Sequence, residues 1–312
     1  MDAPNACIFP YGTAGLATAT ERITAGGLVA VPTETVYGLA ADATDGTAVA
    51  GIYAAKGRPS FNPLIVHVAD LAAAEKLAVF DANAHALAGA FWPGPLTLVL
   101  PLRPDAGIAS LVTAGLDTIA IRVPNHRAMQ ALIAATGKPL AAPSANASGG
   151  ISPTCAAHVA ASLGDAVAVI LDDGPTSAGI ESTIIATTPS LALLRPGPVT
   201  AEAITALLGR PPIAHAGGIV APGQLASHYA PTKPLRLNAT GTEADEWLIG
   251  FGDLRGDDTL SASGDLIEAA ARLFGTLHRA DASQRSRIAI APVPNVGIGV
   301  AINDRLARAA HR

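Results

Sequence analysis

Lys56 and Arg58 stand two residues apart with Gly57 between them, and Pro59, Asn62, Pro63 and His67 follow closely. Such a run suits the grip of a polyphosphate outside any standard phosphate loop. Lysine supplies a point charge, arginine a fork of donors, and asparagine amide donors. The glycine lets the backbone approach a ligand, and the prolines fix the turn. His67 then falls on an apolar run, LIVHV, on a side set by strand alternation. The same spacing also suits a solvated basic corner followed by a satisfied strand histidine.

Four further groups have polar chemistry at the ends of apolar segments. Thr33, Glu34 and Thr35 follow the run LVAVP, where open α/β sheets place ligands, although a threonine there also suits a helix cap. Residues 142–154, APSANASGGISPT, combine hydroxyls, an amide and glycines able to meet phosphate or ribose oxygens; a plain surface loop has the same composition. Glu181, Ser182 and Thr183, with Arg195 downstream, add hydroxyls and another cation. Thr118 and Arg122 are four apart in the run TIAIR, so they share a strand face. An arginine in so apolar a run needs an anionic partner, and a structural aspartate or a substrate carboxylate would serve equally.

Short apolar runs must position these groups. Strands are expected at 28–32, 64–68, 96–100, 119–123, 139–142, 166–171 and 182–186, with helices at 13–27 and 47–56. The alternation predicts an α/β fold with a largely mixed or parallel sheet over residues 1–210. Residues 211–234 are rich in Pro and Gly, as a linker would be, yet carry the specific patch Ser227-His228-Tyr229-Ala230-Pro231. Strands near 235–237, 246–251 and 287–291 and helices at 264–278 and 299–310 predict a smaller, Rossmann-like α/β domain over 235–312.

Composition narrows the classes. Half of the 312 residues are hydrophobic and 14% are charged, which excludes disorder as the main state. Mean hydropathy is +0.38, but no stretch of about 18 residues runs free of charges and breakers, so no membrane span is expected. The N-terminus lacks a basic start and apolar run, and a cytoplasmic location is expected. The two cysteines, Cys7 and Cys155, have no metal spacing, and no protein metal site is expected. Residues 1–211 hold ten basic side chains against fifteen acidic ones, whereas the remainder balances at ten each. A small phosphate compound held in a pocket fits that field better than a long polyanion.

Taken in order, PTETVYGLAAD, KGRPSFNPLIVH, FWPGPLT, APSANASGGISPT, GIESTI and LRPG resemble the YrdC-like threonylcarbamoyl-AMP synthase family. SHYAP and GIGVAINDRLARAA are similar to the longer branch, with its extra C-terminal domain, and the resemblance implies a twisted mixed sheet with helices for the larger domain. The resemblance implies synthesis of L-threonylcarbamoyl-AMP from L-threonine, bicarbonate or CO2, and ATP, with release of pyrophosphate. It also implies ATP contacts at Lys56, Arg58, Asn62, Ser144, Ser152 and Arg195, with Thr118 beside the nucleotide and Tyr229 closing over it. Thr35, His67, Arg122, Ala142 and Ser182 would hold threonine, and Lys56 and Arg58 would stabilise the departing pyrophosphate. Mg²⁺ would accompany ATP. The implied partner is the downstream tRNA threonylcarbamoyl transferase complex, with a possible weak tRNA contact. Two rival readings are an RNA-binding module and a carbamoyl-adenylate enzyme of the hydrogenase-maturation type, whose zinc-finger cysteines are not matched by two lone ones.

Overall fold

A computed structural model describes residues 7–214, 221–223 and 228–311. Parts of the expected linker, 215–220 and 224–227 with Ser227, lie outside the described residues, as do 1–6 and 312.

Among the described residues, eleven strands form one mixed sheet. Across it lie Cys7–Pro10, Val169–Asp172, Val29–Pro32, Tyr37–Asp42 and Leu140–Ala141. Ile65–His67, Thr118–Arg122, Leu96–Pro101, Thr183–Ala186, Ala192–Arg195 and Ile213–Ala214 complete it. Parallel pairs such as Ile65–His67 with Thr118–Arg122 alternate with antiparallel ones such as Leu96–Pro101 with Thr118–Arg122. The fold is thus mixed α/β, as the alternation of apolar runs predicts.

Two differences from expectation bear on the site. Residues 37–42 form a strand antiparallel to Val29–Pro32, so Thr33–Val36 is a hairpin turn and not a helix start. Thr33 Oγ1 accepts from the backbone N–H of Thr35 and Val36, both at 3.2 Å, and donates to the Val36 carbonyl at 2.7 Å. The segment YGLAAD is buried along its first five residues, which erases the alternation by which a strand is recognised. A short strand, Ala192–Arg195, likewise carries Arg195 beyond a β-bulge against Thr183–Ala186.

Strand alternation gives the middle of the sheet two different faces. Val66, Leu96, Leu98, Leu100, Ile119, Ile121 and Ile185 point into the main helix-covered core. Ile65, Val99, Ala120, Ile184, Ala192 and Leu194 make the other face, where Ala221 of the inter-domain segment packs on them. At one end of this second face the side chains turn polar. There His67 pairs in register with Arg122, and Thr97 meets Ser182.

Helix Gly46–Lys56 delivers the cation pair. Asp45 caps it by accepting from Thr47 N and Ala48 N, and Gly57 ends it in the left-handed region at φ 58°. That conformation favours glycine and turns the chain sharply, so Arg58 leaves in a new direction with its side chain buried.

The C-terminal domain is a four-stranded, all-parallel sheet in the order Leu235–Arg236, Arg287–Ile290, Glu246–Gly250, Asp258–Thr259. Helices Leu266–Ala282 and Gly299–Ala310 pack with it. Their apolar faces also take in Val36, Ile151 and Ile180 of the larger domain and Tyr229 of the inter-domain segment. No helix among the described residues is long and apolar enough to cross a membrane.

Candidate active site

One cavity of about 520 Å³, counting the open space at its mouth, gathers segments between Thr33 and Tyr229. Thr35, Arg58, His67, Arg122, Ala142, Ser144, Ser182, Arg195 and Tyr229 line it, nine of the thirteen site residues that the family resemblance implies. Lys56, Asn62, Thr118 and Ser152 do not reach its surface.

Arg122 anchors one group. Its Nη2 lies 2.8 Å from Glu34 Oε1, its Nη1 donates to Thr35 Oγ1 at 2.9 Å, and its Nε donates to the Gly94 carbonyl at 3.1 Å. The anionic partner that the apolar run required is therefore Glu34, brought over by the hairpin turn. Burial works to raise the Glu34 carboxyl, and the Arg122 guanidinium outweighs it and holds the group below its ordinary value. A guanidinium has five N–H donors, so three contacts leave capacity for a substrate carboxylate. Beside it, burial and then the Arg122 charge press His67 down to about 3, so the imidazole is neutral at physiological pH. Its Nδ1 has no protein partner.

The second group is cationic. Arg195 donates from Nε to the Ser182 carbonyl at 3.0 Å and from Nη2 to Ser182 Oγ at 3.2 Å. Ser182 Oγ lies 2.7 Å from Thr97 Oγ1. Arg58 is tied to the carbonyls of Asn62 and Pro63 at 3.3 and 2.9 Å, which aims the fork into the cavity. Burial lowers the Arg58 guanidinium to about 10, still charged at neutral pH.

The four residues set back from the surface have distinct surroundings. The Lys56 ammonium donates to the carbonyls of Ser144 and Asn146, so it braces the 142–154 loop from behind. Burial first, and Arg58 second, push it well below an ordinary lysine. Asn62 is fully buried, and neither end of its side-chain amide has a protein partner. Such a group calls for a ligand or water. Ser152 lies behind Glu181, to whose Oε1 it donates at 2.5 Å. Thr118 shares the face of Arg122 but opens the strand that Arg122 ends, roughly 13 Å away at strand rise. A ligand touching both would have to lie along the Ala120 face.

Sequence inspection did not assign Glu34, Glu181 or His228, although Glu181 and His228 line the cavity and Glu34 pairs with Arg122 beside it. For the glutamates, a charge inside an otherwise apolar or hydroxyl-rich motif was the available signal. His228 is buried near Arg58, Lys56 and Arg195, and burial is the main cause of its fall to about 3. Its Nδ1 is without a partner, as is the Tyr229 hydroxyl. Tyr229 itself adopts φ 64°, a strained value for a bulky residue. The surroundings hold it there: Ala230 N donates to the Gly149 carbonyl at 2.8 Å, and Phe274 lies under the ring at 5.5 Å. No group of three or more His, Cys, Asp or Glu among the described residues is arranged to hold a metal.

Comparison with known proteins covers both domains. Residues 21–197 match the Sua5/YciO/YrdC family model, described as "Telomere recombination", and residues 199–311 match the threonylcarbamoyl-AMP synthase C-terminal domain. The Bacillus subtilis threonylcarbamoyl-AMP synthase is 42% identical, covering 91% of this chain and 89% of the relative. The Pyrococcus abyssi enzyme of that name is 40% identical over 91% of each. The crystal structure of P. abyssi Sua5 complexed with L-threonine superposes with a TM-score of 0.88 at 36% identity, over 97% of this chain and 96% of that one. With both domains matched along nearly its whole length, this chain belongs to the threonylcarbamoyl-AMP synthase family.

Proposed function

We propose that this protein makes L-threonylcarbamoyl-AMP from L-threonine, bicarbonate or CO2, and ATP, releasing pyrophosphate. The observation that carries the reading is the joining of two unlike groups in one cavity. Arg122, Thr35 and His67 suit an α-amino acid, whereas Arg58 and Arg195 suit phosphates.

In this reading Arg122 takes the threonine carboxylate with its remaining donors. The neutral His67, with Thr35 and Ser182, receives the polar remainder, and Ala142 borders it. The threonine amine captures CO2 and loses a proton to give a carbamate. One carbamate oxygen then attacks the α-phosphorus in line as the bond to the pyrophosphate oxygen breaks. No covalent enzyme intermediate is needed, so rate comes from positioning and charge stabilisation. Arg58 and Arg195 balance charge gathering on the departing pyrophosphate. Lys56 acts from behind, holding the Ser144 and Asn146 carbonyls and adding its field. Asn62 offers its unpaired amide to the nucleotide, Thr118 meets the end that lies along the Ala120 face, and Tyr229 covers the site.

Mg²⁺ enters with ATP, ligated by phosphate oxygens. Glu34 and Glu181 are each committed to an arginine, so the protein offers the ion little of its own. The product passes to a tRNA threonylcarbamoyl transferase complex in the cytoplasm, and any direct contact with tRNA is weak. Pyrophosphate release assayed with and without threonine and bicarbonate tests the reading. Dependence on both, lost in Lys56→Ala and in Arg58→Ala, is expected. Full activity in both variants would refute their role.

A further inference from the structure

The last helix, Gly299–Ala310, sends one side chain behind the cavity, against the Glu181 that lines it. Arg305 is fully buried, and its Nε donates to Glu181 Oε2 at 2.8 Å across 124 residues of sequence. Its Nη1 lies 2.7 Å from Asp304 Oδ2, and its guanidinium carbon stands 5.3 Å from the centre of the Tyr229 ring. Glu181 keeps its other oxygen for Ser152 Oγ at 2.5 Å. The Ser152 carbonyl in turn meets His278 Nε2, from helix Leu266–Ala282, at 3.1 Å. Both C-terminal helices thus converge on Ser152, one at its carbonyl and the other through Glu181.

Glu181 is a carboxylate in the wall of a site read here as receiving a triphosphate. Left unbalanced, it would repel the phosphates and draw Arg195 toward itself. We propose that Arg305 is a positioning residue of the nucleotide half of the cavity. By balancing Glu181 it leaves Arg195 to the phosphates and fixes Ser152 and Tyr229, so the C-terminal domain supplies part of the site's charge arrangement. The proposal rests on the nucleotide reading given above.

ATP affinity by calorimetry and steady-state pyrophosphate release test it in wild type, Arg305→Met, Arg305→Lys and the double variant Glu181→Gln/Arg305→Met. Arg305→Met is expected to weaken ATP binding and raise its KM about tenfold or more, with threonine KM within about twofold. Arg305→Lys, which keeps the charge but loses the fork, falls between. The double variant is expected to recover ATP affinity to within about threefold of wild type, because a neutral amide needs no counterion and still accepts from Ser152. Wild-type ATP affinity in Arg305→Met overturns the assignment, and so does a double variant as weak as the single one. Should Arg305→Met fail to fold, the double variant is compared with wild type directly. There, affinity near wild type supports the proposal and a tenfold loss overturns it. Wild-type protein that binds no ATP overturns the nucleotide reading itself, whereas failure at Arg305 alone leaves that reading standing.

Discussion

Arg122 has to satisfy a buried glutamate and, in the proposed reaction, a substrate carboxylate as well. Arg122→Ala would strand Glu34 without its counterion, at a cost of roughly 3–5 kcal/mol in stability, and so confuse binding with folding. Arg122→Lys separates the two: the charge stays and the fork is lost. Threonine KM should rise about tenfold or more while ATP KM changes little, measured by pyrophosphate release. Unchanged threonine KM would place the carboxylate elsewhere. That Arg122 needed an anion was legible from its apolar run. That the anion is Glu34 was not, because the pairing depends on a hairpin joining segments 88 residues apart. Lys56 is the reverse case. Its motif suggested a side chain facing the phosphates, and only the fold reveals the two carbonyls that hold it back.

Among the elements, strands with runs of branched residues announced themselves, as at 64–68 and 119–123. The strand Tyr37–Asp42 did not, being buried on both sides and rich in Ala and Gly. The segment 211–234 reads as a linker by composition, and its specific patch suggests more than a spacer. How closely it packs was hidden, and Gly223 illustrates this. It sits at φ 82°, and a Cβ there would fall 2.8 Å from the Tyr229 hydroxyl and 3.0 Å from Arg195 Cδ. Strain of about 1–3 kcal/mol is expected on Gly223→Ala, relieved by pushing those two side chains aside. ATP affinity should therefore fall about tenfold in that variant, read by calorimetry, and an unaltered affinity would show that the segment yields without disturbing the site.

At the scale of the whole molecule, buried neutral histidines link stability to pH. His67 and His228 are held at about 3 and His158 at about 4, all below the ordinary 6.5 and all chiefly by burial. His158 also stacks on His278 at 3.7 Å, where two charges would oppose each other across the domain boundary. Between pH 6.5 and 4 the unfolded chain takes up protons that the folded one refuses, so stability falls as pH falls through that window. Paired carboxylates such as Glu34 and Glu181 act mainly below their ordinary 4.5. The urea midpoint should hence be lower at pH 5.5 than at pH 7, with His158→Phe, which keeps a stacked ring, flattening the difference. Equal midpoints in the wild type would contradict this. Two-domain organisation was visible in the sequence, but the support of the cavity wall from the second domain was not, since no local pattern ties Glu181 to Arg305.

That tie has a consequence for descent. A lineage that recombined the first two hundred residues with a different tail would inherit a buried carboxylate stripped of its mate, so the two halves are best transmitted together.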